Sequence, residues 1–170
     1  MSTISLLSDL GRDSWEVGAV KGSMYDIHPL ARIADVSHAP ENSVIAKTAR
    51  IIASAYAYFA YGSIHAVAIA PELGVDAQPI LLESRGHYFL GLDNGMFSVV
   101  DHASSVLYAL DKRAFWIRNI TPAFHGLDIV GPVAAHLGRG VPADQLGTRL
   151  NRRLKKTAAT PELGVAASRA

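Results

Sequence analysis

The chain has 170 residues, of which 49% are hydrophobic and 18% charged, with a formal net charge of +1. That balance suits one globular domain and excludes a disordered chain or a strong field for steering nucleic acid or acidic lipid. The absence of cysteine excludes disulfides, thiolate catalysis and cysteine-held zinc.

Met1 to Gly11 lacks the basic start and long apolar core of a signal peptide. Within it, Thr3 to Leu7 is a short apolar run stopped by Ser8-Asp9-Leu10-Gly11, which predicts a buried strand ending in a loop. Trp15, Val17, Val20, Met24 and Ile27 then recur at near-helical spacing, with Asp13 as the expected cap and Pro29 as the stop. Arg32 to Val36 reads as a second strand. Asn42 or Ser43 would cap a helix running to about Tyr58, with Val44, Ala49, Ile52 and Tyr56 on its apolar side.

Ile51 to Pro71 contains no Asp, Glu, Lys or Arg, and its length would suffice for a bilayer core of roughly 30 Å. Ser54, Gly62, Ser63 and His65 dilute it, however, and Gly62-Ser63 predicts a break between a helix end and a strand over Ser63 to Ala70. A soluble, cytoplasmic protein without membrane contact is the expectation. Ile80 to Leu82 and Tyr88 to Leu92 read as strands around a turn at Arg85-Gly86, and Ser105 to Leu110 as a further strand. Leu127 to Leu137 reads as a helix that accommodates Pro132 if it starts late.

Strands alternating with helices, then a strand-rich middle, predict an α/β fold: a single Rossmann-like domain with a mostly parallel sheet flanked by helices. Beyond Gly147, Arg149, Arg152, Arg153, Lys155 and Lys156 form a basic run before an Ala-rich tail. Residues 148–170 are expected to be a solvated, partly disordered end to a domain over residues 1–147. No aromatic residue is interleaved to stack on bases, so nucleic acid is not the expected partner.

Standard catalytic machines are missing. The chain has no phosphate-binding Gly-Lys loop, no dinucleotide fingerprint, no Gly-x-Ser-x-Gly elbow and no His-x-x-x-His pair, so neither cofactor nor metal is expected. What remains are polar residues just past apolar runs, where open α/β sheets gather ligands: Asp9, Asp35 and His38, Asp93-Asn94-Gly95, and Phe124-His125-Gly126. Taken singly, each also reads as a cap, a turn or a structural histidine.

Taken in order, these strings resemble the S-adenosylmethionine hydroxide adenosyltransferases and their relatives the fluorinase and chlorinase. The resembling blocks are Ser8-Asp9-Leu10-Gly11, Lys21-Gly22, Asp35-Val36-Ser37-His38, Phe59 to His65, Leu92 to Gly95 and Ala123 to Leu137, within residues 4–147. The resemblance implies an α/β N-terminal domain, a β-barrel C-terminal domain, and a trimer that binds S-adenosylmethionine between neighbouring subunits. It implies Asp9 as the carboxylate that holds the ribose hydroxyls, Phe124 as an aromatic wall, and His125 as the histidine that assists water attack. A carboxylate suits a vicinal diol because it offers two acceptors to two donors, and an aromatic face suits a sulfonium cation.

The resemblance also locates departures. Ala70 stands where the hydrolytic branch has its Asp, and Ala77 or Gln78 where it has its Arg. Glu72 is the nearest substitute carboxylate, and Leu127 replaces a further Arg. Losing a general base costs roughly 10²–10⁴-fold in rate. After Gly147 only 23 residues follow, too few for the barrel. The expected function is therefore that of a relative of S-adenosylmethionine hydrolases with reduced or lost catalysis and a residual adenosyl half-site. A non-catalytic, trimer-forming structural or ligand-binding role is the alternative, and a nucleic-acid accessory acting through the basic run is a distant third.

Overall fold

The computed structural model describes residues 2–39, 44–70, 77–117 and 126–156. Its centre is a seven-stranded sheet in the order β2-β1-β3-β5-β4-β6-β7. Strands β1 (Thr3–Ser8), β2 (Arg32–Ser37), β3 (Ile64–Ala68) and β5 (His87–Leu92) run parallel. Strands β4 (Pro79–Ser84), β6 (Val106–Ala109) and the two-residue β7 (Thr148–Arg149) extend the sheet antiparallel.

Each element has a local cause. β1 and β3 are buried almost throughout, as strands covered on both faces must be. The β4–β5 hairpin turns on Arg85 and Gly86, both at positive φ, the backbone a two-residue hairpin of matching twist requires. Helix α1 (Trp15–Ile27) is capped by Ser14, whose hydroxyl accepts the amide of Glu16; the cap sits one residue later than the expected Asp13. Helix α2 (Val44–Ala55) closes in a 3₁₀ turn over Tyr56–Tyr58, and Gly62 at positive φ makes the expected break before β3. Among the described residues no helix is long and apolar enough to cross a membrane.

The predicted final helix starts late. A π turn over Gly126–Val130 precedes α3 (Gly131–Gly138), and Pro132 sits in its first turn, where the missing N–H costs nothing. A short α4 (Ala143–Leu146) leads into β7.

Two apolar layers sandwich the sheet. α1 and α3 cover the face bearing Ile4, Leu6, Ile64 and Ala66. α2 and the 3₁₀ turn Met96–Val100 cover the face bearing Leu7, Val67, Phe89 and Leu92. Successive side chains of one strand alternate between these layers, which is the period-two rule.

The basic run departs from expectation. Residues 148–156 are mostly exposed but held to the domain: β7 pairs with β6, the Leu150 amide bonds to the Leu107 carbonyl, and Leu154 is buried. Leu154 supplies the apolar anchor that charge counting overlooks.

Candidate functional site

In the order β2-β1-β3, the chain leaves β1 to one side and returns to its other side, on helices packed against opposite faces. Such a reversal opens a crevice beyond the carboxyl ends of the two central strands. Asp9 lies at that point. Its Oδ2 accepts the Ala70 amide at 3.0 Å, linking the end of β1 to the end of β3. Its Oδ1 is buried without a hydrogen-bond partner among the described residues. Burial raises the Asp9 carboxyl above its ordinary range; the amides of Ala70 and Asp9 pull it back only in part, and nearby Glu16 adds to the rise. A buried acceptor left empty costs free energy, so this oxygen has capacity for a further donor.

Beside Asp9 lies a small open cleft. Leu7, Ile51 and Ile69 supply apolar walls, while Ser37, Lys47 and Thr48 line it with polar side chains. The helix α2 residues project into it at spacings of three and four, so one turn of helix presents all of them to the strand ends.

A chain of polar contacts backs the cleft. Lys21 Nζ lies 2.6 Å from Asp35 Oδ2, and Asp35 Oδ1 faces His38 Nε2 at 3.1 Å, an ion-pair distance rather than a well-aligned hydrogen bond. His38 Nδ1 lies 2.8 Å from Ser8 Oγ, with both residues buried. Burial alone would raise the Asp35 carboxyl, but the contacts from Lys21 and His38 outweigh it and hold the group below its ordinary range. Register explains the meeting: Leu6 pairs with Asp35 but Leu7 pairs with Ser37, so one residue of β2 is skipped. That irregularity carries His38 alongside Ser8.

Asp93, the carboxylate of the Asp93-Asn94-Gly95 string, is fully occupied in a different way. Its Oδ2 takes Arg152 Nη1 at 2.6 Å, its Oδ1 takes the Lys155 amide at 2.9 Å, and its side chain is buried. Asn94 Oδ1 accepts the Met96 amide and Gly95 turns at positive φ. The basic run thus serves as counter-charge to a buried acid, both of whose oxygens are partnered within the chain.

A third polar group sits at the amino ends of the same strands. Ser5 Oγ is 2.8 Å from His65 Nδ1, and His65 Nε2 is 3.2 Å from His87 Nδ1. Tyr56, Phe59, Tyr61 and Phe89 pack around the two rings. Burial first, and the neighbouring His87 second, pull His65 down to about 4; burial lowers His87 as well. These two buried imidazoles share one hydrogen-bond chain with Ser5.

Of the residues singled out in the sequence, Asp9 lies at the cleft, and Phe124, His125 and Glu72 lie outside the described residues. Gly126, next to His125 in the chain, packs so closely on β3 that a Cβ there would meet the Ala68 Cβ at 2.6 Å. Ala70 touches Asp9 through its amide and brings only a methyl group. Ala77 is buried in the α2 layer, and Gln78 Oε1 accepts from Arg152 at 3.3 Å. Lys47 and Thr48 went unpredicted as cleft residues; the signal available was their helical position, which many residues share. Among the described residues no group of three or more His, Asp or Glu could hold a metal ion.

The profile described as S-adenosylmethionine hydroxide adenosyltransferase N-terminal domain matches residues 4–147. The (R)-S-adenosyl-L-methionine hydrolase of Methanocaldococcus jannaschii is 29% identical over 144 residues, covering 81% of this chain and 53% of that protein. That of Thermus thermophilus is 27% identical, covering 86% and 61%, and the fluorinase of Actinopolyspora mzabensis is 24% identical, covering 86% and 58%. The chain therefore spans little more than half the length of these relatives. A crystal structure of an uncharacterized conserved protein from Thermotoga maritima superposes with a TM-score of 0.85 at 29% identity, over 91% of this chain and 60% of that one.

Proposed function

Because the chain belongs to the S-adenosylmethionine hydroxide adenosyltransferase family, we propose that it binds an adenosyl compound at the Asp9 cleft and cleaves it slowly or not at all. The observation that carries this reading is the empty, buried Oδ1 of Asp9 beside an open cleft at the strand-order reversal. A ribose diol offers hydroxyl donors, one of which can meet the unpartnered Oδ1. The site has acceptors to hold the sugar. It has little to activate water: where the hydrolytic branch places an Asp, Ala70 offers a methyl group that neither accepts a proton nor orients a water. Ala77 is buried and Gln78 is tied to Arg152, so neither replaces the cation. An open cleft also leaves charge development screened by solvent, which weakens electrostatic catalysis. As the resemblance implies, the working form would be a trimer.

Titration calorimetry with S-adenosylmethionine tests the reading. Binding is expected in the range of about 10 µM to 1 mM, at least tenfold weaker in Asp9→Asn, with no adenosine released on chromatography. Absence of binding by the unaltered protein would sink it. Adenosine formation that His125→Ala abolishes would instead establish a working hydrolase.

A further inference from the structure

Helix α1 carries an apolar face that no described residue covers. Trp15 is 74% exposed, Tyr25 42%, and Leu30, just past the helix end, 70%. Among the described residues these are three of the five large apolar side chains left to solvent. Trp15, Gly18, Gly22 and Tyr25 follow one another at spacings of three, four and three, so they lie along one side of the helix, opposite the buried Val17, Val20 and Met24. Both glycines are exposed, and a Cβ built on either would meet no described atom within 4 Å. Glycine is the weakest helix former after proline, and no packing seen within the chain calls for two of them inside this helix. What they provide is a shallow saddle where a second backbone can come close, with an aromatic ring at each end.

The face is symmetric about its own midpoint. Trp15 and Tyr25 stand equally far from Val20 along the chain, and so do Gly18 and Gly22. Laid antiparallel on a second α1 across a two-fold axis at that midpoint, the glycines face glycines and each Trp15 meets the partner's Tyr25, an aromatic pairing. Charge agrees with this orientation. α1 has an acid, Glu16, in its first turn and no base in its last, where Asp26 is exposed. An antiparallel neighbour brings its own exposed Arg12 to that end, beside Asp26 and the negative pole of the helix. A parallel pair would set like poles together.

We propose that this face of α1 is a self-docking surface, on which two copies of the chain associate as an isologous, antiparallel helix pair closed over Gly18 and Gly22. Its apolar area, roughly a few hundred Å² per chain, exceeds that of scattered surface side chains but falls short of the ~800 Å² per partner of a standard interface. The association is accordingly weak, with a Kd on the order of 10–100 µM. It is independent of the adenosyl reading and distinct from the three-fold assembly that the resemblance implies: a two-fold contact joins chains in pairs, or trimers into hexamers.

Sedimentation velocity from about 5 to 500 µM tests this. The mass should double across that range, from chain to pair or from trimer to hexamer. Gly18→Gln and Gly22→Gln should each move the midpoint at least tenfold higher, because the added side chain holds the helices apart. At the dilute end both should raise Tm by about 1–3 °C, since glutamine favours the helix and has open space to enter. That rise separates lost pairing from lost folding. The chain has no cysteine, so single-cysteine variants read the register. Mixed Gly18→Cys and Gly22→Cys chains should cross-link to each other and poorly to themselves, because only facing positions bring Cα atoms within the ~4–7 Å a disulfide requires. A mass constant over the whole range, a doubling that both glutamine variants retain, or cross-links that favour like positions overturns the proposal.

Discussion

Two polar clusters lie at opposite ends of β1 and β3. At the amino ends, Ser5, His65 and His87 pair with one another under a cover of aromatic rings. At the carboxyl ends, Ser8 pairs with His38 while Asp9 borders an open cleft, and one Asp9 oxygen has no partner among the described residues. Three residues of β1, about 10 Å of extended chain, separate Ser5 from Ser8. Both clusters hold buried polar atoms, so burial alone does not mark a site. The distinction is satisfaction: the closed cluster spends its donors and acceptors internally and stabilises the fold, whereas the open one keeps an acceptor for something else.

Acid should break the closed cluster first. Because the fold holds His65 near 4 against an ordinary 6.5, its contribution to stability is intact above pH 6.5 and disappears as pH falls through about 4. Thermal unfolding followed across that window should lose up to about 3 kcal/mol, the largest effect expected. His65→Leu sharpens the contrast. It strands the Ser5 hydroxyl and one His87 nitrogen, which should cost about 2 kcal/mol at neutral pH and flatten most of the acid slope, while adenosyl affinity stays within twofold. A large loss of affinity in that variant would mean the two ends are coupled. The smallest effect concerns Asp9. Its raised carboxyl means that charging it opposes folding as pH climbs through its folded value, so removing the charge should help the empty protein. Asp9→Asn should raise Tm by roughly 1–3 °C at pH 7.5 while binding falls. A fall in Tm would show that the carboxylate serves the fold rather than a ligand.

Much of this architecture is legible along the chain because it depends on neighbours in sequence. Apolar runs mark β1 and β3, helical spacing marks α1, and Arg85-Gly86 marks the hairpin, each through local backbone preference. The seventh strand is not legible. Thr148 and Arg149 have no strand signature, and only pairing with β6 and the burial of Leu154 hold them in place. The site divides in the same way. Asp9 is visible as an acid just past a buried strand within a family-like string. The skipped residue opposite Leu6 and Leu7, which seats His38 on Ser8, is a property of two strands pairing and has no trace in either alone.

By itself the sequence determined the strand-and-helix alternation, the kinship, and the replacement of reactive side chains by Ala70 and Ala77. Those follow from residue identity and short-range order, which need no partner to be defined. Only the tertiary structure decided which carboxylate is available. Asp9 and Asp93 look alike as acids after strands, yet Arg152, some sixty residues from Asp93 in the chain, occupies one and leaves the other open. Whether a buried acceptor is filled depends on what folding brings within hydrogen-bond reach, and no reading of adjacent letters contains that distance.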